Sequence, residues 1–412
     1  MMIDRRKFLS AAGLLTAGAM LPRVQAMKPA ENLGVATGVN PFAFDLYKQL
    51  RSHKGNVFVS PFSISCALSM TAAGAKGETL AQMAKVLHLQ DNGGKVGQEK
   101  FRDLIGQTHA PQRRVRPFQL DVANAIWAQK GYPWRDEFKV AVQSAFQSDV
   151  NEADFKTQAE ETRLAINKWV EERTRDKIKD LFAKGVINSL TRMVLANAVY
   201  YKGTWETPFQ KAATTDAPFL LADGTKQAVP MMVQKSPAAL HETDEFQLLH
   251  LPYSGKQTSM LVLLPRKADG LADLESKLTH DSWAKAVGSV RGVGDVQIHL
   301  PKFKVETQYG LNDTLAKMGM ADAFDLDKAD FSGMVTEMPE GKLAITAVVH
   351  KAYCDVNEEG TEAAAATGVV VGVRSAPAKP KVFKADHPFL FAIRHDPTNT
   401  ILFLGRVSNP KG

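Results

Sequence analysis

The hydrophobic positions follow two different periods along the chain. In the first half apolar residues mostly recur at helical spacing. Asn40 to Leu50 places Phe42, Phe44, Leu46 and Leu50 on a helix. Ser60-Pro61 opens a second helix through Ala67, Met70 and Ala73, with serine as cap and proline in the first turn. Glu78 to Leu87 and Gly97 to Gln107 read as further helices. Thr162 to Leu181 predicts an amphipathic helix with Ile166, Trp169, Val170, Ile178 and Leu181 on one side. Between these, Gln119 to Gln129 and Met193 to Tyr201 read as strands. From Ala217 onward the pattern turns to strands: 245–253, 259–265, 295–305, 344–356, 382–394 and 401–407. Helices followed by strands predict an α+β fold with large antiparallel or mixed sheets. Neither an internal repeat nor a low-complexity linker divides the chain, which predicts one domain from about residue 38 to 409.

One segment breaks the pattern. Glu358 to Pro380 reads EEGTEAAAATGVVVGVRSAPAKP, a run of small residues between two strand-like runs. A loop of that length inside a compact domain signals function or disorder. Its residues suit a strand that could enter a sheet. Proline is absent from Glu358 to Ala376, so every residue there can donate its backbone N–H. Alternation puts Thr361, Ala363, Ala365, Thr367, Val369 and Val371 on one face, all small or β-branched and none charged. The other face carries Glu362, Ala364, Ala366, Gly368 and Val370. Gly360 can absorb a sharp turn at the start. On composition alone an Ala-rich linker or a helix fits as well.

Composition narrows the class. The chain has 412 residues and a formal charge of +7. Residues 1–26 carry four Arg/Lys and one Asp, so the rest of the chain keeps only +4, too balanced to argue for nucleic acid. That N-terminal stretch reads as a twin-arginine-type signal peptide. Asp4-Arg5-Arg6-Lys7-Phe8-Leu9-Ser10 precedes an apolar run from Ala11 to Leu21, and Val24-Gln25-Ala26 offers a cleavage site. The run is too short to span a bilayer. Export, to the periplasm or outside a bacterial cell, is expected, with no membrane attachment after cleavage. Cys66 and Cys354 are the two cysteines; they read as buried thiols, with a bridge as the alternative, and neither has metal-ligand spacing.

Several motifs together resemble the serpin family. Asn56-Val57-Phe58-Val59-Ser60-Pro61-Phe62-Ser63-Ile64 resembles its motif at the start of the helix beneath the main sheet. Leu195 to Trp205 (LANAVYYKGTW) resembles its central strand, and His350-Lys351-Ala352 through Thr367 resembles its hinge. His387-Pro388-Phe389-Leu390-Phe391 and Phe403 to Pro410 (FLGRVSNP) resemble its C-terminal signature. The similarity spans nearly all of residues 27–412, in the family's order.

The resemblance implies helices packed around a large mixed sheet, two further sheets and an exposed reactive loop at about 358–381. It implies a suicide inhibitor of proteases, not an enzyme: the cleaved loop inserts into the sheet with the acylated protease attached. The hinge would be Glu358, Glu359, Gly360, Thr361, Glu362, Ala363, Ala364, Ala365, Ala366 and Thr367. Taking Glu358 as the seventeenth residue before the scissile bond puts the cut between Arg374 and Ser375. Arginine there implies a trypsin-like target, with Val373 or Gly372 as shifted sites for an elastase- or subtilisin-like one. Ser60, Ser63, Asn197 and His350 would form a polar shutter under the sheet. Glu358 and Lys302, with Trp205 beside them, would form an ion pair where the sheet opens, the breach. No cofactor or metal is implied, and a monomer is expected.

Rival functions are weaker. Ser60 and His350 stand without a G-x-S-x-G elbow, and H-E-x-x-H, P-loop and G-x-G-x-x-G motifs are absent. A non-inhibitory binding module remains the main alternative, against which the small hinge residues argue. Arg113, Arg114 and Arg116 form a basic cluster that could bind a polyanion weakly, although such clusters are commonly solvated faces.

Overall fold

The computed structural model describes residues 36–89, 118–338, 342–361 and 380–412. The expected leader, the helix expected over Gly97 to Gln107, Arg113, Arg114, Arg116, the expected hinge beyond Thr361 and the bond Arg374–Ser375 lie outside these residues. The helices that frame the site are α1 (Ala36–Leu50), α2 (Pro61–Ala72), α3 (Gly77–Val86), α4 (Asp136–Phe146) and α5 (Ala159–Arg173). Two more, α6 (Leu271–Lys277) and α7 (His280–Gly288), interrupt the strand-rich half.

The strands begin with β1 (Val57–Val59), β2 (Phe118–Gln129), β3 (Val150–Ala153), β4 (Met193–Thr204) and β5 (Thr215–Leu220). Next come β6 (Lys226–Glu242), β7 (Phe246–Pro252), β8 (Thr258–Pro265), β9 (Arg291–Pro301) and β10 (Phe303–Gly310). The last are β11 (Ala347–Asn357), β12 (Gly360–Thr361), β13 (Lys381–Lys384), β14 (Phe389–His395) and β15 (Thr400–Val407). They form a mixed six-stranded sheet in the order β10-β11-β12-β4-β2-β3 and a nine-stranded sheet in the order β1-β15-β14-β8-β7-β6-β9-β13, with β5 on β6. The strands expected for two further sheets are joined through β6, which pairs β5 and β9 along most of its length and β7 at its end.

The six-stranded sheet has two buried faces. One looks into the main core, where Leu195, Val199, Tyr201, Val348, Ala352 and Val356 meet α1, α2 and the nine-stranded sheet. The other is covered by α5 and the chain after it, where Ala196, Ala198, Tyr200 and Val349 pack with Ile166, Val170 and Phe182. Strands buried on both faces lose the simple apolar–polar alternation, and β4 accordingly reads as a nearly continuous buried run. Helix α2 lies against α1, β2, β4 and β15, and every one of its residues is buried. Its start follows the local rule: the Ser60 hydroxyl accepts the N–H of Ser63 at 3.2 Å, and Pro61 occupies the first turn.

Three expectations need correction. The helix read from Thr162 to Leu181 stops at Arg173. Arg175 and Asp176 both take positive φ, and the Thr174 hydroxyl bonds Val170 O and accepts Ile178 N–H, so Ile178 and Leu181 reach the core from a turn. The strand read over 295–305 is two strands in different sheets. At the break after Pro301, the Lys302 N–H turns to Pro230 O at 2.8 Å. The strand read over 382–394 is likewise β13 and β14, separated by Ala385-Asp386-His387-Pro388.

The C-terminal strand is tied down by a buried ion cluster. Arg406 donates to Gly55 O and Arg51 O, each at 2.9 Å, and to His53 O, and its guanidinium lies 3.2 Å from Glu275. Tyr47 donates to the same carboxylate. Removing one partner leaves a buried charge uncompensated. Arg406→Met is therefore expected to lower stability by about 3–5 kcal/mol, measured by urea unfolding, whereas replacing the exposed Lys277 of the Lys277–Glu245 pair should cost under about 1 kcal/mol.

Candidate functional site at the opening of the six-stranded sheet

Strands β4 and β11 run parallel and pair directly over seven registered positions, from Val194↔Ala347 to Tyr200↔Tyr353. Asn197 stands opposite His350 in that ladder, and Asn124 stands opposite Asn197 on β2. One register thus lays three polar side chains in a row across three strands. The first turn of α2 lies beneath them. Asn197 donates to the Ser63 hydroxyl at 2.9 Å, and to Asn124 Oδ1. Ser63 donates to Asn124 Oδ1 at 2.9 Å, and Asn124 returns a bond to Ser63 O at 3.0 Å. The Ser60 hydroxyl donates to Leu402 O at 2.7 Å, linking the cluster to the nine-stranded sheet.

His350 closes the network and is fully buried. Its Nε2 accepts the backbone N–H of Ser60 at 3.1 Å, so Nδ1 carries the proton and donates to Asn197 Oδ1. Burial pushes its pKa down to about 3, and the ring is neutral at physiological pH. A second proton on Nε2 would confront the Ser60 N–H and leave both donors without an acceptor. Buried polar groups that are all paired specify one arrangement, and they must find new partners if the strands part.

Above this row the two strands separate. The chain leaves β11 at Asn357, turns through Glu358 and Glu359, and returns between the strands as β12. Gly360 pairs with Asn357 on one side and Thr204 on the other; Thr361 pairs with Val356 and Gly203. Both pairings are antiparallel. Gly360 has φ of +151°, and a Cβ there would come within 2.0 Å of Gly203 O. Thr361 is buried on the main-core face, and its hydroxyl meets that of Tyr253 at 2.6 Å. The loop therefore begins as two residues of strand already inside the sheet.

The turn is gripped by the segment that follows β4. Trp205 N–H donates to Glu359 O at 2.9 Å and Phe209 N–H to Glu358 O at 2.8 Å. The Trp205 indole donates to Asn357 O at 3.0 Å and stacks on Tyr253 with ring centres 4.6 Å apart. The nearly buried Glu358 carboxylate meets Lys302 at 3.0 Å and accepts from Thr214 at 2.8 Å. Its burial favours protonation, but hydrogen bonds from its own backbone, Lys302 and Thr214, with the Lys302 charge, outweigh this and hold it below the usual carboxylate range. Glu359 meets Lys211 at 2.7 Å.

The structure thus brings Ser60, Ser63, Asn197 and His350 into one network, and Glu358, Lys302 and Trp205 into another. Sequence reasoning missed Asn124, Thr214, Phe209, Lys211 and Tyr253. An Asn inside the apolar strand 119–129 was the only signal for Asn124, and its meaning depends on register. Cys66 and Cys354 are both buried and no disulfide joins them. Among the described residues no cluster of three or more His, Cys, Asp or Glu could hold a metal ion.

Comparison with known proteins agrees with this architecture. The family model described as Serpin (serine protease inhibitor) matches residues 37–410. The chain is 41% identical over 380 residues to a leukocyte elastase inhibitor of Bos taurus, covering 90% of this chain and 97% of that one. A serpin-like protein of Thermococcus kodakarensis is 40% identical over 390 residues, covering 93% and 88%. The structure of uncleaved ovalbumin superposes with a TM-score of 0.82 at 31% identity, covering 92% of this chain and all of that one. The chain belongs to the serpin family, described as serine protease inhibitors, and is an inhibitor-type protein, not an enzyme.

The neutral His350 gives a pH signature. Its pKa is depressed in the folded state, so the unfolded chain takes up the proton first. The associated stability is complete above about pH 6.5 and is lost as pH falls toward 3. Between pH 7 and 5 the loss from this group is about 2 kcal/mol. His395, which burial lowers to about 4, adds a slope of its own. In urea unfolding at both pH values, His350→Gln is expected to lose about 2 kcal/mol less than the wild type. Equal losses would mean that His350 does not titrate in this way.

Proposed function

We propose that this serpin is a suicide inhibitor of a trypsin-like serine protease, cleaved between Arg374 and Ser375, whose loop then extends β12 between β4 and β11. The observation that carries this reading is the position of Gly360 and Thr361, already paired to both strands. Continued in the same register, the entering strand would bring Thr367 level with Asn197 and His350, where its hydroxyl could replace the bonds lost as the strands part. Its main-core face would then be Thr361, Ala363, Ala365, Thr367 and Val369, and its other face would be covered by α5.

The energy balance explains why the loop's main-core face is small or β-branched and uncharged. Insertion replaces one ladder by two, so each entering residue adds roughly one hydrogen bond worth ~1 kcal/mol net. Ordering that residue costs ~1–2 kcal/mol. Backbone terms alone nearly cancel, and burial of apolar surface must supply the drive. A charge on the main-core face would oppose it by several kcal/mol.

A specific observation favours a second target class. The bovine relative is named for elastase, and Val373 or Gly372 would then be the residue before the cut. We also read residues 1–26 as a removable leader of the twin-arginine type, residues 27–412 as one domain exported by a bacterium, Arg113, Arg114 and Arg116 as a weak polyanion contact, and the mature protein as a monomer.

Mixing the mature protein with trypsin and with elastase decides between these readings. An SDS-stable complex with trypsin and a released peptide beginning at Ser375 is the expected result. A complex only with elastase, and a peptide beginning at Val373 or Arg374, would move the site. Cleavage by both without a complex would favour a non-inhibitory serpin. Thr361→Arg is expected to turn the inhibitor into a substrate, cut at the same bond with little complex formed.

A further inference from the structure

Contacts near the opening fall into two sets that act in opposite directions on an entering strand. The bond between His350 and Asn197 crosses the ladder of β4 and β11 that must part. Contacts to the Glu358–Glu359 turn do not cross it. They hold residues that are already in the register of an inserted strand, and lengthening that strand requires none of them to break.

We propose that Lys211, together with the Tyr253 hydroxyl, is a positioning element for loop insertion: it fixes the hinge turn in the inserted register, so that the first rung is formed before any cleavage. This rests on the insertion reading above and adds a direction to it. Lys211 clamps Glu359 from the short helical turn after β4, while Lys302 holds Glu358 from the corner between β9 and β10. The turn's two carbonyls are held by Phe209 and Trp205. Tyr253 accepts or donates the hydrogen bond to Thr361, the first side chain on the main-core face, while its ring is stacked on Trp205. The close fit of Gly360 against Gly203 O admits little other register. Starting a strand orders residues before bonds repay them, so a preformed rung speeds entry of the rest. A latch holding the sheet shut would have the opposite effect.

Lys211 is 70% exposed, so its removal should leave folding intact, and Tyr253→Phe removes a single hydroxyl. The test measures the stoichiometry of inhibition and the acylation rate with trypsin at low salt for the wild type, Lys211→Ala, Lys211→Arg and Tyr253→Phe. Amide exchange over 358–361 is followed in parallel. Lys211→Ala and Tyr253→Phe are expected to raise the stoichiometry about twofold to fivefold, the scale of a partly exposed ion pair or one hydrogen bond. Acylation should be unchanged, exchange at 358–361 faster, and Lys211→Arg close to the wild type. The Lys211→Ala effect should shrink at high salt. An unchanged or lower stoichiometry, with the wild type still forming complex, would overturn the proposal alone. Failure of the wild type to form a complex with any protease tested would overturn the insertion reading and this proposal with it.

Discussion

Strands β4 and β11 are neighbours for only part of their length, and the rest of the site follows from that incomplete seam. Below, they share a parallel ladder. Above, two residues of the loop lie between them, bonded to both. A sheet held in this way has a defined place at which another strand can enter and a defined register for it. The two buried faces matter equally, because an entering residue is covered on one side by the main core and on the other by α5 and the chain that follows it.

On the proposed mechanism, the seam must hold in the intact protein and yield after cleavage. Hydrogen bonds suit that task better than apolar packing, because their partners can be exchanged. Neutral His350, Asn197, Asn124 and Ser63 form such a set across the ladder, anchored on the start of α2. The turn above is built differently, from two ion pairs, backbone bonds and an aromatic stack. On the insertion proposed above, its parts would stay where they are as the strand lengthens. On that proposal, resistance and guidance reside in separate side chains a few residues apart along the same strands.

Much of this was legible in the sequence, for reasons that differ from residue to residue. The start of α2 was readable because a cap and a first-turn proline are local rules. Ser60, Ser63, Asn197, His350, Lys302 and Glu358 were placed by motif resemblance, and the strands that bear them were visible as apolar runs. Asn124 was hidden because only the β2–β4 register brings it level with Asn197. Lys211 and Thr214 were hidden because they follow β4 in an irregular turn that carries no period. The helix overrun past Arg173 has the same origin: Ile178 and Leu181 keep a helical spacing, but two positive-φ residues end the helix before them. The break at Lys302 was missed as well, although it sets that ammonium at the corner between the sheets, facing Glu358.

The most direct measurement is of stability before and after a single cut in the loop. The protein is nicked by a protease that cleaves within 362–379 and is not trapped, and its urea and thermal unfolding are compared with those of the intact chain. If the sheet is built to accept the strand, the cut frees it to enter, and the nicked form should unfold at markedly higher urea and temperature. A nicked form that unfolds at the same point as the intact protein, or earlier, would contradict the account.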